Sequence, residues 1–116
     1  MEKVPTMPFD MEIGNAETIS RFDALKGARY KRYKLEVRIA NKNEDAFRLR
    51  FISNIESDIE YIDADYFNIM PLQKLPQTLV FEIPENRAEA LKTVTFYLHS
   101  LNFERIYGLP LTFSLT

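Results

Sequence analysis

The stretch YKLEVRIANKNEDAFRLRFI, which runs from Tyr33 to Ile52, contains two segments in which apolar and polar side chains alternate. Residues two apart share one face of an extended strand, so each segment predicts a half-buried β-strand. Because the intervening residues 41–45 are polar, we expect a turn and an antiparallel hairpin, which needs a second layer over its apolar face. The apolar positions are Tyr33, Leu35, Val37 and Ile39 in the first segment and Phe47, Leu49 and Phe51 in the second.

The composition is that of a soluble globular domain rich in β-structure. The chain of 116 residues is 46% hydrophobic and 28% charged, with nine Phe and six Tyr. Aromatic residues favour strands, and a chain of this length suits one domain. The absence of cysteine excludes disulfides, thiolate nucleophiles and zinc–thiolate sites, and it fits a reducing compartment.

The N-terminal sequence MEKVPTMPFD contains Pro5 and Pro8, each of which restricts the backbone and favours extended structure. We therefore divide the chain into an extended N-terminal arm, residues 1–10, and a β-sandwich domain, residues 11–116. The arm lacks the apolar core of a signal peptide, and no run approaches the roughly 18 apolar residues of a membrane span. We expect no membrane span and synthesis in the cytoplasm, and the sequence does not determine the final compartment.

The remaining segments predict an all-β fold. Residues 16–25 fit either a helix or a strand, and we favour the strand because of the β-rich context. In chain order we then expect a loop leading into a short strand over 53–62, a loop over 63–75, a strand over 78–83, one or two helical turns over 84–91, a strand over 93–99, a bend over 102–108 and a strand over 109–115. About six to eight short strands separated by turns predict a single antiparallel β-sandwich, either immunoglobulin-like or jelly-roll.

The stretch IDADYFNIMPLQKLPQTLVFEIP, residues 62–84, resembles part of immunoglobulin-like sandwich modules. In those modules an aromatic turn and a proline-containing loop lead into the next strand, and such modules occur at the ends of some glycoside hydrolases of the β-mannosidase type. The resemblance is confined to this stretch and implies a fold rather than an activity. The matching residues are Asp65, Tyr66, Phe67, Met70 and Pro71, followed by the strand at 79–83.

No group of residues carries a catalytic signature, so we predict that the protein is not an enzyme and has no cofactor. His99, the only histidine, falls on the polar side of its strand, and the chain has no G-x-S-x-G sequence. Its three glycines are too few for a glycine-rich phosphate loop. The acidic run over 56–65 could supply ligands for calcium or paired carboxylates for glycoside hydrolysis, but its spacing matches no EF-hand loop. We interpret it as a solvated loop and predict no metal site.

The net charge of −2 conceals a separation of charge along the sequence. Nine of the 15 Lys and Arg residues lie between Lys26 and Arg50, whereas residues 56–65 contain acids and no base. Cations interleaved with Tyr30 and Tyr33 resemble the surfaces of proteins that bind single-stranded nucleic acid. Because Tyr33 is in phase with the apolar face and the acidic run would repel a polyanion, nucleic-acid binding through residues 26–34 is only a second alternative.

We expect instead a non-enzymatic structural or interaction module that binds protein partners or copies of itself, as part of a homo- or hetero-oligomer. Basic and acidic patches on different surfaces can orient subunits, and an N-terminal arm can reach a neighbour. By analogy of fold, the assembly could be a virion, with this chain as a capsid, penton or spike-associated component. The first alternative is a carbohydrate-binding or accessory immunoglobulin-like module. The predicted interaction residues are Pro5, Pro8, Phe9, Lys31, Arg32, Lys34, Arg38, Arg48, Arg50, Glu56, Asp58, Glu60, Asp63 and Asp65.

Overall fold

The computed structural model describes residues 9–100 and 105–116, which form strands and one short helix. In chain order the elements are β1 (Phe9–Asp23), β2 (Ala28–Asn41), β3 (Phe47–Ser53), β4 (Glu60–Asp63), β5 (Phe67–Ile69), β6 (Lys74–Pro84), α1 (Glu85–Leu91), β7 (Thr93–Ser100) and β8 (Arg105–Ser114). They build two four-stranded sheets, in the orders β1-β2-β6-β4 and β5-β3-β7-β8, which we call sheet A and sheet B. Neighbouring strands pair antiparallel, which confirms the predicted β-sandwich.

The predicted hairpin between the two halves of the stretch 33–52 is wrong. β2 lies in sheet A and β3 in sheet B, so the two strands face each other across the core instead of pairing. The link between them is an arch, residues 42–46. Alternation predicts which side chains are buried, but it does not predict which strands pair. Two strands can bury their apolar faces by packing across a sandwich as well as by pairing within one sheet.

Every apolar position predicted in that stretch is buried. Leu35, Val37 and Leu49 are completely inaccessible to solvent. The ring of Tyr33 stacks on Phe81 at 5.1 Å between ring centroids. Its hydroxyl donates a hydrogen bond of 2.7 Å to the carbonyl oxygen of Leu115, which ties the last residues of the chain to the core. Burial raises the pKa of this phenol to about 12, so the hydroxyl remains the donor at neutral pH.

Most of the remaining predicted segments are confirmed, and two are corrected. Residues 16–25 belong mainly to β1 and the turn after it, and the predicted helical turns are α1. The predicted loop over 63–75 contains β5, and β6 begins at Lys74, so Pro76 lies inside a strand. β4 pairs only with residues 80–82 of β6, which leaves β6 with one neighbour at Pro76, where a strand tolerates proline. The predicted bend over 102–108 is strand from Arg105 onward.

The chain enters sheet A earlier than its composition suggested. β1 begins at Phe9 and pairs with the end of β2, so Phe9 and Asp10 belong to the sheet. Residues 1–8 of the predicted arm, which include Pro5 and Pro8, lie outside the described residues. In the described ranges, no helix is long and apolar enough to cross a membrane.

Candidate functional site

The hairpin of β1 and β2 extends past the end of β6. The last pair of β2 and β6 is Tyr30 with Pro84, whereas β1 and β2 continue through the pair Asp23 with Ala28. Residues 22–29 therefore project beyond the neighbouring strand of sheet A. We call this segment the hairpin tip.

Hydrogen bonds within the turn hold the hairpin tip in one conformation. Asp23 Oδ1 accepts hydrogen bonds from the backbone N–H groups of Leu25, at 3.0 Å, and Lys26, at 3.1 Å. These bonds, above all the one from Lys26, hold the pKa of the Asp23 carboxyl below its usual value. Gly27 donates to the backbone oxygen of Asp23 at 2.8 Å and adopts a φ of 62°, a conformation that glycine reaches without strain.

Large apolar side chains on and beside the hairpin tip face solvent. Leu25 is 100% exposed, Phe22 is 56% exposed and Ile19, three residues before Phe22, is 54% exposed. Cations lie over the aromatic rings here, with Arg29 at 5.8 Å from the Phe22 ring and Lys26 at 5.2 Å from the Tyr30 ring. Phe22 and Leu25 thus expose apolar surface at the hairpin tip with cations nearby, whereas Ile19 points to the opposite face of β1. Exposed apolar side chains of this kind are typical of interaction sites.

A buried carboxylate fastens the hairpin to the rest of sheet A. Glu82 is 2% exposed, and it accepts hydrogen bonds from Arg21 at 2.9 and 3.0 Å and from Arg32 at 2.9 Å. Hydrogen bonding, first from Arg21, holds the pKa of Glu82 below its ordinary value although burial opposes the shift. Lys26 adds an ion pair of 3.6 Å with Glu60 in β4. β1, β2, β6 and β4 are thus connected by charge on the outer side of the sheet.

The predicted basic and acidic residues are interleaved in sheet A instead of lying on separate surfaces. Arg32 binds Glu82, and Arg38 lies 3.5 Å from Glu12. The pairing register places Lys34 opposite Glu17, and it places Lys31 opposite Ser20 on the inner side. Glu60 and Asp63 lie in β4 of the same sheet. Charges distant in sequence meet here because antiparallel pairing brings β4 and β6 against the hairpin.

The other predicted acids stabilise the loop between β3 and β4. Glu56 accepts hydrogen bonds from the Ser53 hydroxyl, at 2.8 Å, and from the Tyr61 hydroxyl. Asp58 forms an ion pair with Arg87 of α1 at 3.0 Å. Asp65 is exposed in the segment between β4 and β5. Over the described part of the chain, no group of three or more acidic or histidine side chains is arranged to hold a metal ion.

Arg48 and Arg50 lie in sheet B, apart from the basic residues of sheet A. Both project outward from β3, and their guanidinium carbons lie 5.7 and 5.5 Å from the centre of the Tyr66 ring. We call these three residues the Arg48–Arg50–Tyr66 cluster. His99 of β7 is the register partner of Arg50, and Ser100, its chain neighbour, is fully buried. His99 and Ser100 therefore point to opposite faces of β7 and form no catalytic pair.

Phe9 does not serve as a surface contact, contrary to the prediction. Its side chain is fully buried and packs edge-on against Phe47 at 5.3 Å, so it belongs to the core. Conversely, the sequence interpretation did not select Phe22, Leu25 or Tyr66. One signal in the sequence could have identified this site. Leu25 is apolar but lies between an Asp and a Gly that are typical of a turn, where polar residues are expected.

Comparison with known proteins identifies a solved structure with a similar fold, but it does not assign the chain to a family. No protein-family model and no curated protein sequence matches the chain. Among solved structures, the chain is similar to a FixG-related protein from Vibrio parahaemolyticus, with a TM-score of 0.59 and 13% sequence identity. The match covers 94% of this chain and 97% of that chain. At this identity the likeness concerns the fold alone.

Proposed function

We propose that the protein is a non-enzymatic interaction module of the immunoglobulin-like type, which docks a partner protein through its hairpin tip. The observation that carries this proposal is the exposure of Leu25 and Phe22 on an ordered turn that projects from the sandwich. Exposed apolar side chains on a fixed turn are available to a partner at little cost in conformational entropy.

The strand order supports the immunoglobulin-like form over the jelly roll. Constant-type immunoglobulin domains place strands A, B, E and D in one sheet and C, F and G in the other. Here the order β1-β2-β6-β4 corresponds to A, B, E and D, and β3-β7-β8 corresponds to C, F and G, with β5 added beside β3. The stretch 62–84, on which the resemblance rests, runs from the end of β4 through β5 to the end of β6.

A protein partner fits the hairpin tip better than a nucleic acid does. Of the cations suggested for nucleic-acid binding, Arg32 is held by Glu82 and Lys26 by Glu60, and Tyr33 is buried and cannot stack on a base. Interfaces between proteins are enriched in aromatic residues and arginine at their centres, which matches Phe22 with Arg29 above it. The sequence-based predictions that the partner belongs to a virion, or that the module binds carbohydrate, stay predictions.

A site-specific crosslink tests the hairpin tip. We would replace Leu25 with a photoreactive phenylalanine analogue, and Leu72 in a second variant, and irradiate the cells that make the protein. Leu72 is the matched control because it is also a well-exposed apolar side chain, 65% against 100% for Leu25, but lies in the turn between β5 and β6. We expect one discrete protein adduct from position 25 and none of the same mass from position 72.

A second substitution connects the adduct to the apolar surface. Phe22→Ser, added to the position-25 variant, should abolish the adduct while leaving the urea midpoint nearly unchanged, because Phe22 is more than half exposed. An adduct that persists, or the same adducts from positions 25 and 72, would contradict docking by the hairpin tip. Adducts with lipid instead of protein would contradict the class of partner.

A further inference from the structure

We propose that the Arg48–Arg50–Tyr66 cluster binds an extended, acidic segment of a partner protein, with one carboxylate for each arginine. The cluster lies on the outer side of sheet B, whereas the hairpin tip belongs to sheet A. The inference rests on the proposed function only in assuming that the module binds proteins, and it uses residues that the hairpin tip does not share.

Arg48 and Arg50 differ from Arg21, Arg32 and Arg38, three arginines of sheet A, in lacking an acid. Arg21 and Arg32 bind Glu82, and Arg38 lies beside Glu12. Within residues 9–100 and 105–116, no carboxylate lies within ion-pair distance of Arg48 or Arg50. Two neighbouring positive charges without an ion-paired acid attract an anionic group from outside the molecule.

The ring of Tyr66 lies within cation–π distance of both guanidinium groups. A guanidinium that stacks on an aromatic face keeps the N–H groups at its edge free to donate. Those N–H groups match the two oxygens of a carboxylate, which is the geometry of the strongest arginine pairs. Contact with the Tyr66 ring restricts where the two guanidinium groups can lie, which would reduce the side-chain entropy lost when a ligand binds.

The spacing of the arginines favours an extended peptide. Arg48 and Arg50 are alternate residues of β3, so their Cα atoms are about 6.6 Å apart. Acidic side chains at alternate positions of an extended partner segment have the same separation and also point to one side. Asp65, which precedes Tyr66, is exposed, and its charge disfavours ligand anions beyond those that the two arginines pair.

Fluorescence anisotropy with a labelled peptide of alternating Glu and Thr tests the site on the full-length protein. At low salt, about 50 mM, where exposed charges are weakly screened, we expect saturable binding to the wild type. Arg48→Gln with Arg50→Gln should weaken this binding about tenfold or more, the effect expected for losing two charge-assisted pairs. Arg38→Gln is the matched control, because Arg38 is exposed but already paired with Glu12, and it should change the affinity less than about twofold.

Substitutions of Tyr66 test whether its ring positions the two arginines or whether their charge alone accounts for binding. Tyr66→Phe keeps the ring and should retain the affinity, whereas Tyr66→Ala should weaken binding severalfold without changing the net charge. A peptide of the same composition in blocks, four Glu followed by four Thr, should bind less tightly than the alternating peptide.

The outcomes that would overturn the proposal are distinct. They are equal affinity in the double arginine variant, equal affinity for the block peptide, and tighter binding of an oligothymidylate through the same two arginines. The Phe22→Ser variant should bind the alternating peptide as the wild type does, so failure of the hairpin tip and failure of this site are told apart.

Discussion

At the scale of single residues, Glu82 shows how this sandwich accommodates a carboxylate beneath its surface. It projects to the outer side of sheet A, and yet it is almost inaccessible, because the side chains of Arg21 and Arg32 cover it. A buried charge is tolerated only when it is paired and hydrogen-bonded, and both conditions are met here. The three side chains join β1, β2 and β6 in one contact.

Glu82→Gln should lower the free energy of unfolding by about 1–3 kcal/mol at pH 7, the usual range for losing hydrogen bonds to a charged group. The pKa of Glu82 lies below its ordinary value of 4.5, so its ionised form stabilises the fold above that pH. This contribution is lost as the pH falls below 4.5 and through the lowered pKa of the folded state. Urea denaturation at a series of pH values should therefore show wild type and variant converging in acid.

The control for Glu82 is Glu12→Gln, whose side chain is 70% exposed and lies 3.5 Å from Arg38. Because water and salt screen this pair, the change should stay within about 0.5 kcal/mol. Equal losses in the two variants, or a Glu82 difference that does not shrink in acid, would contradict the assignment of Glu82 as a buried, ionised link.

Leu49→Ala tests the burial of β3. Leu49 is completely buried between the sheets, so the substitution should cost about 2–5 kcal/mol in free energy of unfolding, from lost transfer energy and the cavity that remains. Its neighbour Arg48 is exposed, and Arg48→Ala should change stability by no more than about 0.5 kcal/mol. Chemical denaturation of both variants checks the register, because a slip by one residue would exchange the two effects.

At the scale of elements, Asn41 explains how the chain leaves one sheet for the other. Its side-chain amide donates hydrogen bonds of 2.8 Å to the backbone oxygen of Asp45 and of 2.9 Å to that of Met70. Its side-chain oxygen accepts a bond of 2.9 Å from the N–H of Asn43. One buried side chain thus fixes the arch from β2 to β3 and holds it against the segment after β5.

Asn41→Ala should destabilise the protein by about 1–3 kcal/mol, because backbone groups in the arch lose their partners in a buried setting. Glu44→Ala, at an exposed position of the same arch, is the control and should have little effect. Thermal or urea unfolding measures both changes. If Asn41→Ala were as mild as Glu44→Ala, the arch would be held by its packing and not by the amide.

At the scale of the whole molecule, several acids and bases that the sequence interpretation assigned to opposed surfaces pair within one copy. Lys26 meets Glu60, Asp58 meets Arg87, and Arg32 meets Glu82 inside the same chain. Because these acids and bases are already paired within the same chain, they would add little binding energy to a contact between copies. The hairpin tip and the Arg48–Arg50–Tyr66 cluster are the two surfaces that we propose for partners.

We therefore expect any self-association of the purified protein to be insensitive to salt. Sedimentation velocity at about 50 and 500 mM salt, which changes the screening length severalfold, should give the same distribution of species. A dimer or filament that dissociates at the higher salt would contradict this prediction and would support assembly through opposite charges. Association that persists at both salt concentrations and is lost in Phe22→Ser would instead agree with docking by the apolar hairpin tip.

The candidate sites were less predictable than the core. Leu35 and Phe81 were recognised as core residues from local alternation, and both are fully buried. The sequence interpretation did not connect Tyr66 with Arg48 and Arg50, since that contact depends on β5 lying beside β3. Leu25 is exposed because the hairpin of β1 and β2 extends past β6, and its exposure therefore depends on where β6 ends.

The sequence by itself determined the all-β class, most of the strands and the residues that face the core, because a period of two is local and each strand carries its own pattern. The tertiary structure alone decided that β2 and β3 lie in opposite sheets, that Phe9 is core, and which acid meets which base. Those choices depend on contacts between residues far apart in the chain, such as Arg32 and Glu82. No local pattern specifies such contacts, because either face-to-face packing or edge pairing buries the same apolar side chains.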